Sequence, residues 1–403
     1  MVTKNKENIM KLRMLGLLFS IVILLVMGCE KNEPLSTNFP SIEENQPSEE
    51  LQEFDRGFHQ EGITVMTRNV YVGTNVDCVL AAKDPSEIPV RVAHAFQLLQ
   101  ATNFPERAEA LANEVYWTRP HLIGLQEISL IRIQSPGDAI VGGTIPAEDV
   151  LYNYLDIFLA ALNAKGLNYS VAGIVENADV EVPMLVNTDP LEFNDVRLTD
   201  YDVVLARSGV GVSNVLTANY QAKLTVPIGP TQIEIPRGFV ALDATIGSRT
   251  YRFINTHLEP ASIPDLIPLQ LAQAQELAAT LQYETKPLIV VGDFNSEATS
   301  GETYQYFVSQ DYVDSWTRNS ILFNQNGYTA PHDDDLMNAI VHFDRRIDLI
   351  FVKSNIWQGS KQIIGPVYGI VVGDEYWNRT SSRLWPSDHG GVVSRLRIPF
   401  NPS

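Results

Sequence analysis

Two short stretches decide the reading of this chain: Pro386-Ser387-Asp388-His389-Gly390 near the C-terminus, and Val291-Gly292-Asp293-Phe294-Asn295-Ser296 about a hundred residues earlier. Each follows an apolar, strand-like run. Two Asp-bearing strand ends, one of them with a His, supply what metal-assisted hydrolysis of a phosphoester needs. Carboxylate oxygens suit a hard cation such as Mg²⁺. A neighbouring imidazole can act on the attacking water or on the phosphate.

The same pattern recurs along the chain. Asn69 follows Val65-Met66-Thr67-Arg68, and Gln126-Glu127 follows the run His121 to Leu125. His257-Leu258 follows Tyr251 to Ile254, and Arg346-Ile347-Asp348 opens another apolar run. Taken alone, each has an ordinary reading. Asn69 would be a turn residue, Glu127 a solvated acid and His257 a satisfied structural imidazole. Asp293 and Asn295 would form a turn, Asp348 an ion pair, and Asp388-His389 a loop. Six such groups in order at strand ends do not fit coincidence.

The ordered set resembles the endonuclease/exonuclease/phosphatase superfamily, the fold of DNase I-like nucleases, bacterial sphingomyelinases and inositol polyphosphate 5-phosphatases. The resemblance spans roughly residues 62–398, and no element of the pattern is missing. It implies an α+β (α/β) domain, a four-layer sandwich of two stacked mixed β-sheets flanked by helices, with the site at one end. It also implies roles. Glu127 would hold Mg²⁺ (or Mn²⁺), with Asn69 helping and Asp388 close by. Asp293 and Asn295 would hold the attacking water and a phosphate oxygen, and His257 and His389 would flank the phosphate. Asp348 would accept a hydrogen bond from His389, setting its tautomer and raising its pKa.

Around these residues, strand-like and helical runs alternate. Strands are expected at 63–66, 121–125, 203–206, 250–255, 288–291, 347–352 and 391–396. Helices are expected after Asn103, over 151–162 and over 269–281, with a hairpin pairing 221–226 and 233–244. Segments 130–150 and 176–200, with their Gly, Pro, Asn and Asp, read as long loops that would carry substrate choice. Arg197 or Arg207 is a candidate for the substrate mouth, with an ion pair to Asp195 or Asp200 as the alternative. The run His332-Asp333-Asp334-Asp335 reads as a solvated loop or a second cation site.

The N-terminus has a different character. Lys4, Lys6, Lys11 and Arg13 precede an apolar stretch from Leu15 to Met27, and then comes Val26-Met27-Gly28-Cys29. A small residue just before Cys is the pattern of a bacterial lipoprotein signal; a plain signal peptide or a signal anchor is the alternative. The expected organisation is a signal segment over 1–28, a lipidated Cys29 with a flexible acidic tether to residue 60, and a catalytic domain over 61–403. The expected location is the bacterial cell envelope, lipid-anchored and outside the cytoplasm. Glu30 in place of an Asp favours the outer membrane in a Gram-negative host.

The formal net charge of −19 over 403 residues repels polyanions at long range. Residues 1–28 carry four basic side chains and one acid (Glu7), so the remainder is more acidic still. Ser129 stands where nucleases of this resemblance often carry a basic residue. A small or lipid-borne phosphate ester is therefore the expected substrate and a monomer the expected state. Extracellular nuclease is the alternative, and a non-catalytic binding lipoprotein the third reading. The only cysteines are Cys29 and Cys78, which argues against a disulfide framework and for Cys78 as a small buried residue.

Overall fold

The computed structural model describes residues 62–399, except 83, 229–230, 261–263, 322–325, 360 and 363. The expected signal segment, Cys29 and the tether lie outside the described residues. Among the described residues no helix is long and apolar enough to cross a membrane.

The first sheet begins with β1 (Ile63–Asn69), β2 (Leu122–Gln134), β3 (Asp149–Asn153), β4 (Tyr169–Thr188) and β5 (Leu191–Arg207). The chain then supplies β6 (Gly211–Asn219) and a separate hairpin, β7 (Leu224–Ile228) with β8 (Thr231–Ile235). The second sheet continues with β9 (Gly238–Ile246), β10 (Arg249–His257), β11 (Leu288–Asp293), β12 (Val313–Asp314) and β13 (Asp348–Lys353). The short pair β14 (Trp357–Gln358) and β15 (Lys361–Gln362) follows, and β16 (Val367–Val372) and β17 (Gly391–Leu396) complete the first sheet. Its spatial order is β16-β17-β1-β2-β5-β4, with β3 on β2; the second sheet runs β12-β13-β11-β10-β9-β6. The helices are α1 (Asp77–Leu80), α2 (Ile88–Ala101), α3 (Phe104–Thr118), α4 (Tyr154–Ala164), α5 (Ile267–Leu281) and α6 (Glu302–Ser309).

Period-two alternation stacks these layers. Along β11, Ile289 and Val291 enter the core between the sheets, where Val65, Leu122, Val204, Phe253 and Ile350 meet them. Leu288 and Val290 face the other way, onto Leu277 of α5 and Phe307 of α6. On the far side, Ile123 and Leu125 pack under α3 and α4 through Leu111, Val115, Phe158 and Leu162. The result is the expected four-layer α+β sandwich.

Apolar burial contributes about 1.5–3 kcal/mol per large side chain and has no direction. It stacks the sheets without fixing which ends coincide. A buried amide pair supplies the direction. Gln126 Nε2 of β2 donates to Asn255 Oδ1 of β10 at 2.6 Å. Asn255 Nδ2 donates back to the carbonyls of Leu125 (2.9 Å) and Val203 (3.2 Å). Gly124 leaves the room, since a Cβ there would stand 2.4 Å from Asn255 Oδ1.

Several expectations change. Segment 176–200 is not a loop but most of the β4–β5 hairpin. Its Pro, Asn and Asp residues hide an alternation in which Met184 and Val196 are buried, with Val182 and Leu198 packed beside them. Segment 130–150 begins as β2 and ends as β3, leaving a loop only between. The helix expected from Leu151 starts at Tyr154, capped by Asn153, because 149–153 pair with β2. Asn103 adopts a left-handed backbone (φ 41°) and does not cap α3 with its side chain. The expected 233–244 strand is broken at Pro236-Arg237 into β8 and β9. Cys78 is free and half-exposed rather than buried.

Removing the Asn255 amide strands Gln126 Nε2 and two buried carbonyls. Asn255→Ala should therefore lose about 2–4 kcal/mol of stability, read as a lower urea midpoint at unchanged slope. A wild-type midpoint would show that the bridge is incidental.

Candidate active site

Strand direction explains how residues so far apart in sequence meet. β1 and β2 run parallel, and β1 ends with Asn69 opposite Gln126, where the pairing of β2 with β5 is interrupted before β2 continues to Gln134. β10 and β11 also run parallel, with His257 opposite Asp293. β13 is antiparallel to β11, so its first residue, Asp348, lies opposite Asp293. β17 is antiparallel to β1, so Asp388-His389, which precedes β17 rather than following a strand, arrives at the end where Asn69 sits. The site thus collects the C-terminal ends of β1, β10 and β11, the break within β2 at Glu127, and the N-terminal ends of β13 and β17.

Asp293 is the hub. Its Oδ1 accepts the backbone N–H of Asn295 at 2.8 Å. Its Oδ2 faces three side chains: Asn69 Nδ2 at 3.2 Å, His257 Nε2 at 3.6 Å and His389 Nε2 at 3.8 Å. Asn69 Nδ2 also donates to Glu127 Oε1 at 2.8 Å, while its Oδ1 accepts the N–H of Tyr71 at 2.9 Å. Asn69 therefore orients two carboxylates with its amide N–H groups. Glu127 reaches this point through an irregular step in the β2–β5 register, where its own φ is 60°. Its Oε2 accepts the N–H of Val72 at 2.8 Å. Asn295, also left-handed at φ 50°, turns its amide onto Leu258 O at 3.0 Å and lies 3.2 Å from His257 Nε2.

The expected dyad is present, with His389 Nδ1 standing 2.8 Å from Asp348 Oδ2. Arg346 does not compete for Asp348, since its guanidinium forks onto Asp314 at 2.7 and 3.1 Å. The Ser387–His389 loop is pinned from beneath α3. Arg68, paired with Glu114 at 2.8 Å, donates to His389 O. Arg107, fully buried, donates to Val70 O (2.6 Å), Tyr71 O (3.0 Å) and Pro386 O (3.0 Å). Ser387 Oγ donates to Asn69 O at 2.8 Å and lies 3.3 Å from Asp388 Oδ1.

Burial and charge set opposite protonation states for the two imidazoles. Burial drives His257 well below its ordinary pKa, and the Arg237 guanidinium and His389 push it the same way. Burial opposes charge on His389 too, but the carboxylates of Asp348, Asp388 and Asp293 hold it well above the ordinary value. Burial also raises Asp293 to about 7, and Asp388 to about 6 with Glu127 adding to the rise.

Other expectations resolve differently. Arg197 is in an ion pair, but with Asp179 and Glu148 rather than Asp195 or Asp200. Arg207 donates to Arg119 O. His332 is buried and stacks on Trp385, with ring centroids 4.2 Å apart. The three acids after it take separate partners: His342 for Asp333, Asn75 for Asp334 and the Met337 N–H for Asp335. They do not converge as a second cation site. The sequence pattern does not single out Arg237, Asp202, Arg107 or the Gln126–Asn255 bridge, and it offers Asp200 only as an ion-pair partner. Only Asp200-Tyr201-Asp202, two acids one residue apart in a strand, carried a readable signal.

The donor set fits a hard divalent cation. Glu127, Asp388, Asp293 and Asp348 crowd one end of the sandwich, and Asp348 Oδ1 is buried without a hydrogen-bond partner. Glu127 and Asp388, with Asn69 orienting Glu127, would hold the ion. Carboxylates bind cations only when deprotonated. Since Asp293 and Asp388 sit near 7 and 6, Mg²⁺ affinity should fall as pH drops through that range, with protons released on binding near pH 6. Titration calorimetry in buffers of different ionisation enthalpy reads this directly. Binding that is flat from pH 5.5 to 8 and proton-neutral would contradict the electrostatics.

The model of the endonuclease/exonuclease/phosphatase family matches residues 69–389, an interval that begins at Asn69 and ends at His389. Among solved structures, the mannosyl-6-phosphatase Bt3783 of Bacteroides thetaiotaomicron is similar at 16% identity and TM-score 0.50, covering 83% of this chain and 99% of that one. Truncated TDP2 of Caenorhabditis elegans matches at 15% identity and TM-score 0.45, over 83% of this chain and 97% of that one. A further family protein from Bacteroides thetaiotaomicron matches at 15% identity and TM-score 0.49, over 85% and 99%. No curated protein sequence matches the chain. The family's metal-dependent phosphoesterases and nucleases support a phosphoester hydrolase with a divalent-metal requirement. The chain belongs to the endonuclease/exonuclease/phosphatase family.

Proposed function

We propose that this protein is a lipid-anchored, extracytoplasmic hydrolase, dependent on Mg²⁺ or Mn²⁺, that cleaves a small or lipid-borne phosphate ester. The observation that carries the catalytic part is the Asp293 carboxylate lying between a neutral imidazole and a charged one. Groups whose environments drive their pKa values apart divide acid and base roles between them.

When bound beside Glu127 and Asp388, the cation would neutralise phosphate charge. The protein's own groups do the rest. Asp293 Oδ2, with its pKa near neutrality, accepts a proton from the attacking water. His389, held on Asp348 through Nδ1, presents Nε2–H to a phosphoryl oxygen. Asn69 keeps Glu127 and Asp293 in register with each other.

The substrate class rests on charge and shape. Ser129 is buried, its Oγ donating to Glu127 O at 3.2 Å, so no cation reaches a nucleic-acid backbone from that position. Arg197 is occupied by two carboxylates. With a net charge of −19, little favours a polyanion. The envelope location and the Cys29 anchor rest on the N-terminal pattern, and the protein acts as a monomer.

The purified protein should hydrolyse bis-p-nitrophenyl phosphate with Mg²⁺ or Mn²⁺ and stop in excess EDTA. A sugar 6-phosphate belongs in the panel because the Bacteroides relative is a mannosyl-6-phosphatase. Sphingomyelin and plasmid DNA complete it. The expected order is small or lipid-borne esters well above DNA, with DNA cleavage insensitive to salt. Full activity in EDTA would refute the metal requirement. Efficient plasmid degradation that falls steeply with salt would replace this reading with a nuclease.

A further inference from the structure

Arg237 lies just ahead of β9, and its Nη1 stands 3.0 Å from His257 Nδ1. A guanidinium is always charged and only donates. Nδ1 must therefore accept, and carries no proton. The guanidinium is held in this pose. Its Nε is 3.3 Å from Glu259 Oε1 and its Nη1 is 3.9 Å from Asp200 Oδ2. Its side chain is only 16% exposed.

With Nδ1 closed, a neutral His257 carries its proton on Nε2. That nitrogen stands 3.2 Å from Asn295 Nδ2, a donor that Nε2 could accept from only in the opposite tautomer; the shorter, charge-assisted contact from the guanidinium outweighs it, and the Asn295 amide itself cannot accept, because its NH₂ end is fixed by Leu258 O. The nearest carboxylate oxygen, Asp293 Oδ2, is 3.6 Å away, beyond good hydrogen-bonding distance. The Nε2–H thus points into the site without a proper acceptor.

We propose that Arg237 is a positioning residue that locks His257 in its neutral Nε2–H tautomer, so that His257 serves the substrate as a hydrogen-bond donor to a phosphoryl oxygen and neither as a base nor as a cation ligand. The identity of that acceptor rests on the phosphoester reading; the lock does not. The two imidazoles then divide the work by their Nδ1 partners. His389 Nδ1 faces the Asp348 carboxylate, whereas His257 Nδ1 faces a guanidinium. Asp200, Asp202 and His257 also offer ligand atoms within 4.8 Å of one another, the spacing of a cation site. Ligation through Nδ1 would have to break the Arg237 bond and put a second cation beside the guanidinium.

Long-range ¹H–¹⁵N correlation of the imidazoles in the whole protein at pH 7 tests this without substrate. The expected result is a bare Nδ1 and a protonated Nε2 on His257, unchanged on adding Mg²⁺ or Zn²⁺. A proton on Nδ1, a doubly protonated ring, or direct ligation of a metal by His257 overturns the proposal. Arg237→Met should mix the tautomers and lower kcat on bis-p-nitrophenyl phosphate by about 10–100-fold with KM little changed. Arg237→Gln, whose amide can still donate to Nδ1, should recover part of that loss. If Arg237→Met does not fold, the wild-type tautomer still decides. A wild-type protein that shows this tautomer but hydrolyses no phosphoester would retire the hydrolase reading and uphold the lock.

Discussion

The site depends on the hydrogen bond from Gln126 to Asn255 and on those from Asn255 to Leu125 O and Val203 O. Apolar faces would hold the two sheets together in many relative shifts, since burial has no direction. A 2.6 Å amide bridge in a dry core tolerates few of them, because a slip would strand buried donors and acceptors at about 1–3 kcal/mol each. Gln126 immediately precedes Glu127, and Asn255 is two residues before His257. The bridge therefore ties the break in β2 that carries Glu127 to the strand end that carries His257. Arg68 and Arg107 extend this control to the third contributor, the loop of Pro386 to His389, by holding the carbonyls of His389 and Pro386 beneath α3.

Above this scaffold the chemistry follows from crowding. Glu127, Asp293, Asp348 and Asp388 meet at one end of the sandwich, and burial resists charge on Asp293 and Asp388. The protein answers with one imidazolium on Asp348, with the amide of Asn69 and, we infer, with a divalent ion. What remains is a carboxylate, Asp293, near neutral pKa between two imidazoles of opposite protonation. The same residues gathered in water would all carry their ordinary charges and divide no roles. The fold contributes the difference between them.

Most of the site was legible in the sequence because strand ends announce themselves. An apolar run flanked on either side by Asn, Glu, His or Asp marks both the element and the polar residue at its boundary or break. That pattern yielded Asn69, Glu127, His257, Asp293, Asn295, Asp348, Asp388 and His389, and these residues do gather at one end. The β4–β5 hairpin was misread because Pro183, Asn187, Asp189 and Pro190 mimic a loop, whereas its pairing with β2 is long-range and leaves no local mark. Arg237 was invisible for a similar reason. It lies between two short strands with no periodic signal, and it acquires its role only when β9 pairs with β10 and brings it to His257. Residues that act through another side chain are chosen by tertiary contact, and a single sequence does not display that contact.

We propose that Asp348 and His389 act as one acid–base unit at Asp293. A double-mutant cycle on kcat/KM tests it most directly, with folding of each variant checked by circular dichroism. His389→Ala and Asp348→Asn should each lower activity by about 10²–10⁴-fold. Because groups in one unit are not additive, the double variant should be little worse than His389→Ala alone. Losses that multiply would mean that Asp348 acts independently of His389, and the account of the site would be wrong.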